Sequence, residues 1–292
     1  MKKCLACSHH YDSDVWVCPK CKVAPDTAGG FLVFSPEQAF NNEGFSADYF
    51  ENLARLEEGS FWFRARNRLI LWALEKYFPN IRNYFEIGCG TGFVTSGIHK
   101  AFPELQISAS EVFLAGLPYV KQRLPEIPIY QMDARTVPFY KEFDVIGAFD
   151  VLEHIEEDQT VLKQIFEAVK PGGGIMLTVP QHRWLWSEID DFSFHKRRYS
   201  RREIVQKIES AGFHIIKATS FVSLLLPVMV LARMRYLLPT RKVDRNLEFK
   251  LGEGVNRLLE VVMAIEMVLI RAGINLPLGG SLFVVASKEW KE

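Results

Sequence analysis

From residue 84 onward, short apolar runs alternate with stretches of helical spacing. Tyr84 to Ile87, apolar around one acid, predicts a buried first strand, and Phe93 to Ile98 continues as a crossover helix. Gln106 to Glu111 predicts a second strand ending on an acid. Ile129 to Met132 predicts a third ending on Asp133, and Phe143 to Phe149 a fourth ending on Asp150. A fifth, Gly174 to Val179, follows a turn at Pro171, Gly172 and Gly173. Ser200 with Glu203 three residues later is a capping box, so a helix starts there and stops near Gly212. Phe213 to Thr219 and Ser281 to Ser287 predict two more strands. This alternation implies an α/β fold with a mostly parallel sheet wound on both faces, and ligands at the carboxyl ends of its strands, where the acids gather.

Two flanking regions differ in pattern. Ser46 to Phe78 reads as helical, with Phe61, Trp62, Leu69, Trp72 and Leu74 apolar. Two readings stand for it: helices packed on the sheet, or a lid in which Phe61, Trp62 and Arg66 cover the site. Between the last two strands, Phe221 to Ala232 is apolar on nearly every side and interrupted by Pro227. A basic link with Arg241, Lys242 and Arg245 follows, and Val255 to Ala272 is apolar at helical spacing. The divisions expected are 1–28, 29–78 (linker and cap helices), 79–220 (core), 221–274 (helical hairpin insertion) and 275–292 (last core strand), with 24–30 a linker by composition.

The chain of 292 residues is 48% hydrophobic, and 35 basic residues balance 35 acidic ones. That size suits one large α/β domain with appendages, and the neutral balance gives no global field towards nucleic acid or membrane. No apolar run follows Met1, Lys2 and Lys3 as in a secretory signal, and no stretch approaches the roughly 18 apolar residues of a membrane span. A cytoplasmic protein is expected.

Four of the five cysteines fall in the first 21 residues, as Cys4-x-x-Cys7 and Cys18-x-x-Cys21. Two such knuckles offer four thiolates for tetrahedral zinc, and without a secretory signal metal is favoured over disulfides. The piece, residues 1–28, resembles a small zinc ribbon with structural Zn2+. Its core is so small that the metal must supply most of its folding free energy. Its role divides between a docking or substrate-capture surface and a stapled N-terminal knob.

Residues 84 to 92 carry the cofactor chemistry. Gly88, Gly90 and Gly92 alternate, Glu86 precedes them by two, and Cys89 lies within the turn. The dinucleotide fingerprint needs a glycine where Phe93 stands, and a pyrophosphate would be repelled by Glu86. A sulfonium and an ammonium would be attracted. With this E-x-G-x-G-x-G run the chain resembles the class I S-adenosylmethionine-dependent methyltransferases, over about residues 45–217 and the last strand. The resemblance implies a seven-stranded, mostly parallel Rossmann-like sheet and S-adenosylmethionine as cofactor. It assigns Glu111 to the ribose hydroxyls and Val112 to packing on the adenine. Asp133 and Ala134 would meet the adenine amino group, and Phe149 and Asp150 the methionine end.

The run Asp-Val-Leu-Glu-His-Ile at 150–155 is similar to that of the small-molecule branch of these enzymes, and His154 resembles the catalytic histidine of phosphobase methyltransferases. It is the candidate general base, against a plain hydrogen-bonding role beside the site. His182, Trp184, His195 and Tyr199 fall where this family shapes its acceptor pocket. The basic run Lys196, Arg197, Arg198, Arg201 and Arg202 reads either as an anion contact or as an exposed face. The chain resembles bacterial type 11 and type 12 methyltransferases, some of which act beside glycan or lipid-linked pathways. A methyltransferase for a small-molecule or lipid- or glycan-linked acceptor is therefore expected. The alternatives are a catalytically silent cofactor-binding or adapter module docking through its ribbon, and an RNA methyltransferase, although the charge balance argues against nucleic acid. For the 221–272 hairpin three accounts stand: internal packing, a homodimer interface, and shallow contact with the inner membrane face.

Overall fold

The alternating segments close into one twisted sheet in a computed structural model that describes residues 1–40, 47–234 and 252–289. In chain order the elements are β1 (Lys2–Lys3), β2 (His10–Tyr11), β3 (Asp26–Ala28), β4 (Phe31–Val33), α1 (Pro36–Ala39), α2 (Ala47–Glu57) and α3 (Phe61–Tyr77). The nucleotide-type half follows: β5 (Asn83–Ile87), α4 (Phe93–Ala101), β6 (Gln106–Glu111), α5 (Leu117–Arg123), β7 (Ile129–Gln131) and β8 (Phe143–Phe149). Then come α6 (Asp158–Ala168), β9 (Val169–Pro180), α7 (Glu188–Phe192), α8 (Arg201–Ser210), β10 (His214–Phe221), α9 (Leu226–Met234), α10 (Glu253–Arg271) and β11 (Ser281–Ser287).

The sheet order is β10-β11-β9-β8-β5-β6-β7-β4-β3, with β11 antiparallel to both of its neighbours. Side chains alternate faces along each central strand. Tyr84, Val145 and Phe283 enter one core with Leu69 and Ile70 of α3 and Ile98 of α4. Phe85, Ile146 and Val284 enter the other with Val161 and Ile165 of α6 and Ile204 and Ile208 of α8. Burial on both faces is why these strands read as unbroken apolar runs. The Ser200 side chain caps α8, accepting from the Glu203 backbone N–H at 3.2 Å as the sequence predicts.

Three expectations are corrected. The sheet has nine strands, not seven, because the supposed linker is a hairpin. Gly29 and Gly30 take φ of +59° and +83°, the paired positive values of a tight two-residue hairpin turn, and lay β3 on β4. β4 pairs parallel to β7 with Leu32 opposite Tyr130, so the division at 28/29 cuts through this hairpin. The fifth strand starts at Val169 rather than Gly174, and the glycines there form a register shift against β8 rather than a turn before the strand. Pro227 does not interrupt a helix. β10 runs on to Phe221, and Pro227 is the second residue of α9, where its missing N–H has no helical partner to lose.

The cysteine module sits on the sheet edge that the hairpin extends. Trp16 meets Phe34, Tyr130 and Phe139 edge-on at ring distances of 4.7, 5.7 and 5.4 Å. Lys3 pairs with Glu167 at 2.6 Å, and its backbone N–H donates to Pro138. The buried Gln131 amide donates to the Ser35 carbonyl and accepts from the Ser35 N–H, each at 3.0 Å.

Of the hairpin insertion, α10 packs along α3. Glu260 pairs with Arg64 at 2.6 Å and with Arg68 at 2.7 Å, and Asn256 accepts from the Phe61 N–H at 2.8 Å. Internal packing therefore describes one face of α10. Its other face exposes Leu258, Val261, Ile265 and Val268. The Arg241, Lys242 and Arg245 link lies outside the described residues. Among the described residues no helix is long and apolar enough to cross a membrane.

Candidate active site

Strands β5 to β8 deliver their carboxyl ends to one cavity of about 1360 Å³, roofed by α2, α3 and α9. Gly88 and Gly90 line it in the left-handed conformation, at φ of +67° and +57°. A Cβ at Gly88 would come within 2.6 Å of Val151, so the turn closes tightly against the segment after β8. Gly92, expected beside a cofactor, does not line the cavity. It caps α4 at φ +79°, where a Cβ would press on Val120 of α5 at 3.1 Å, so its constraint is packing.

Glu86, beneath the turn, is buried and accepts from Thr95 Oγ1 at 2.7 Å. Burial pushes its carboxyl up to about 8, against the hydrogen bond from Thr95. Glu111, ending β6, lies at the turn itself: Oε2 accepts from the Gly90 N–H and Oε1 from the Val112 N–H, each at 2.9 Å. Burial raises this carboxyl too, opposed by those backbone donors. Asp133, just past β7, is held by Arg135 through its backbone N–H at 2.8 Å and its guanidinium at 2.6 Å. Cys89, Val112, Ala134 and Phe149 also line the cavity.

Asp150 has φ of +57°, a strained value for a residue with a side chain, and its carboxylate is paired with Arg66 of α3. The Arg66 guanidinium lies 4.3 Å over the Trp62 ring. Both α3 readings thus hold together: the helix packs on the core, and its Trp62–Arg66 edge covers the site.

The turn after Asp150 carries Leu152, Glu153 and His154. His154 lines the cavity with its ring 4.9 Å from that of His195. Burial, then the neighbouring His195, pushes the imidazole of His154 down to about 3, so it is neutral and weakly basic. His195 Nδ1 lies 2.9 Å from Asp190 Oδ1, whose carboxylate also accepts from Arg198 Nε at 2.6 Å.

Besides Gly92, three candidates fall outside the cavity. Tyr199 is fully buried beneath it, its hydroxyl donating to Asp158 at 2.8 Å and Leu152 at 3.1 Å, because Asp158 needs a donor inside the second core. His182 and Trp184 stack on each other at 5.3 Å on the outer surface, Trp184 being 60% exposed, since the chain turns away at His182 (φ +63°). In the basic run, Arg198 is buried on Asp190 and Arg197 bonds Glu156 and Asp158, so these two cations are internally paired rather than offered to an anion. Sequence reasoning passed over Glu57, buried between Thr91 and Arg123, as well as Arg135 and Glu153. All three are ordinary charges at helical or turn spacing, and the burial of Glu57 and Glu153 is visible only in the fold.

At the N-terminus, Cys4 and Cys21 Sγ lie 3.5 Å apart and Cys7 and Cys18 Sγ 3.7 Å, with all four sulfurs within 4.8 Å of one another. Thiolates about 2.3 Å from a tetrahedral zinc are spaced about 3.8 Å apart. The knuckles are near copies: Ser8 N–H donates to Cys4 O at 2.8 Å and Lys22 N–H to Cys18 O at 2.9 Å. Donor type, spacing and backbone geometry fit a zinc ion.

A family model described as "Methyltransferase domain" matches residues 85–175. A probable S-adenosylmethionine-dependent methyltransferase of Mycolicibacterium smegmatis is 26% identical over 164 residues, 55% of this chain and 62% of that protein. A malonyl-[acyl-carrier protein] O-methyltransferase of Halorhodospira halophila is 23% identical over 154 residues, 49% of this chain and 52% of that one. The chain thus spans less than two thirds of either relative. Among solved structures, phosphoethanolamine N-methyltransferase 2 of Haemonchus contortus with S-adenosyl-L-methionine overlays 84% of this chain and 58% of its own, at TM-score 0.57 and 18% identity. Residues 85–175 thus match a methyltransferase domain, and most of the acid-flanked glycine turn, with strands β6 to β8, lies within that match.

Proposed function

We propose that the protein transfers the methyl group of S-adenosylmethionine to a small-molecule or lipid- or glycan-linked acceptor. One observation carries this reading: a single cavity runs from the glycine turn and its acids to the His154 and His195 pair, so cofactor and acceptor share one chamber. Glu111 would take the ribose hydroxyls on the lone pairs its backbone donors leave free, Asp133 the adenine amino group, and Phe149 with Asp150 the methionine end. When bound, the cofactor supplies an electrophilic methyl on sulfonium. The chain's task is to hold an acceptor atom in line with it and exclude water, which the Trp62–Arg66 roof serves. A relative named for trans-aconitate supports a small-molecule acceptor. A zinc ion on the four cysteines would be structural.

Labelled methyl transfer from S-adenosylmethionine into separated small-molecule, lipid, glycan, RNA and protein fractions tests this. Label in the first three supports it. Label confined to RNA or protein overturns the acceptor class. Tight cofactor binding with no label in any fraction would favour a silent adapter.

A further inference from the structure

Glu153 is a carboxyl in an unusual position. It is wholly buried, and among the described residues none other donates a hydrogen bond to either side-chain oxygen. Arg66 and Arg198 act on it only through space, and Asp150 adds a like charge. An ionised carboxylate left so is costly, and proteins tolerate it where a cation or a proton completes the site. Burial, with Asp150 second, pushes it well above the usual carboxylate range.

What faces Glu153 is a pair of imidazoles. Donor atoms of Glu153, His154 and His195 all lie within 4.8 Å of one another. Ligands about 2.0–2.2 Å from one ion are at most about 4.4 Å apart, so closure on a metal needs side-chain movements below about 1 Å. The neighbours of His195 favour ligation. Its Nδ1 is committed to Asp190, which Arg198 and the Ser187 backbone hold as an acceptor, leaving the Nε2 lone pair free to coordinate. A carboxylate behind a histidine in this way fixes tautomer and ring direction at metal centres.

We propose that Glu153, His154 and His195 hold a divalent first-row transition metal, such as zinc or manganese, at the acceptor end of the cavity. The site rests on the methyltransferase reading for its role but not for its existence. One carboxylate and two imidazoles suit such ions better than magnesium or calcium, and three ligands leave positions open towards the cavity. The acceptor that fits is a chelating one, with vicinal hydroxyls or a hydroxyl beside a carboxylate. Coordination lowers the pKa of the bound hydroxyl, and its proton leaves to solvent. The oxygen lone pair then forms the new O–CH3 bond as the methyl–sulfonium bond breaks and its electron pair stays on sulfur. His154 then ligates instead of accepting the proton.

Elemental analysis of full-length protein, loaded with zinc and dialysed, is the test. The expected content is about two metal equivalents per chain. Glu153→Gln and His195→Ala should each fall to about one while keeping the cysteine-bound ion and S-adenosylmethionine binding. One equivalent in wild type, or equal content in wild type and both variants, overturns the proposal. Should the variants misfold, wild type carrying one zinc equivalent, which the four thiolates take first, is titrated with Mn2+ and followed by electron paramagnetic resonance: bound Mn2+ supports the site and none at millimolar Mn2+ overturns it. Methyl transfer by protein lacking the second ion would sink this inference and leave the methyltransferase reading standing. A second ion without any cofactor binding would do the reverse.

Discussion

Glu86 shows how one side chain records the charge of its ligand. In the folded protein without a ligand its carboxyl titrates near 8, against 4.5 ordinarily, because burial outweighs the Thr95 hydrogen bond. A raised folded value favours the folded state below 4.5, and that contribution is lost as pH rises through 8. Stability without cofactor should therefore decline across that window, less so in Glu86→Gln. A cationic cofactor reverses the preference and draws the proton off. Binding at pH 7 should release up to one proton, seen as a dependence of calorimetric heat on buffer ionisation enthalpy. The release should vanish at pH 9 and in Glu86→Gln; uptake of a proton would contradict a cationic ligand. The acid and its three glycines were legible from local pattern alone. Arg66 was placed over the site from the sequence, but its partner Asp150 lies 84 residues on, and Glu57 was legible only as a charge, since Thr91 lies 34 residues away; folding alone assigns both pairs.

At the scale of elements, burial decided what could be read. β8 and β11 were predicted to the residue because both faces of each are covered and their apolar runs end at polar residues. β3 and β4 have three residues each and carry no usable period, so Gly29 and Gly30 passed for a flexible joint. The α3–α10 contact rests on a charge network that no periodicity announces. Glu260→Ala should destabilise the protein by about 1 kcal/mol, seen as a lower denaturant midpoint at unchanged slope. Hydrogen bonding from Arg64, then Arg68, holds the Glu260 carboxyl down to about 2, so its contribution is full above 4.5 and fades as pH falls towards 2. Wild type and variant should converge across that range. Gly92→Ala, at φ +79° and pressed on Val120, should cost about 1–3 kcal/mol with little change in cofactor affinity, because it lies outside the cavity. A selective loss of affinity would return Gly92 to the site.

For the whole molecule, the cysteine module, its hairpin and the sheet form one continuous structure. Trp16 reports on it: stripping metal from the cysteines should shift its fluorescence as the module loosens, while cofactor binding persists. A simultaneous loss of both would mean that the edge hairpin supports the core strands. That hairpin also imposes an order on synthesis. The strand β4 ends at Val33, whereas its partner β7 and the Lys3 contact at Glu167 are translated later. At 5–20 residues per second the ribosome needs roughly 7–27 s to cover the interval. For that time the first thirty residues wait with an apolar edge and no sheet to join. An ion on their cysteines would keep them from pairing elsewhere, and metal supply during translation, rather than in the finished protein, would then set the yield of correctly docked chains.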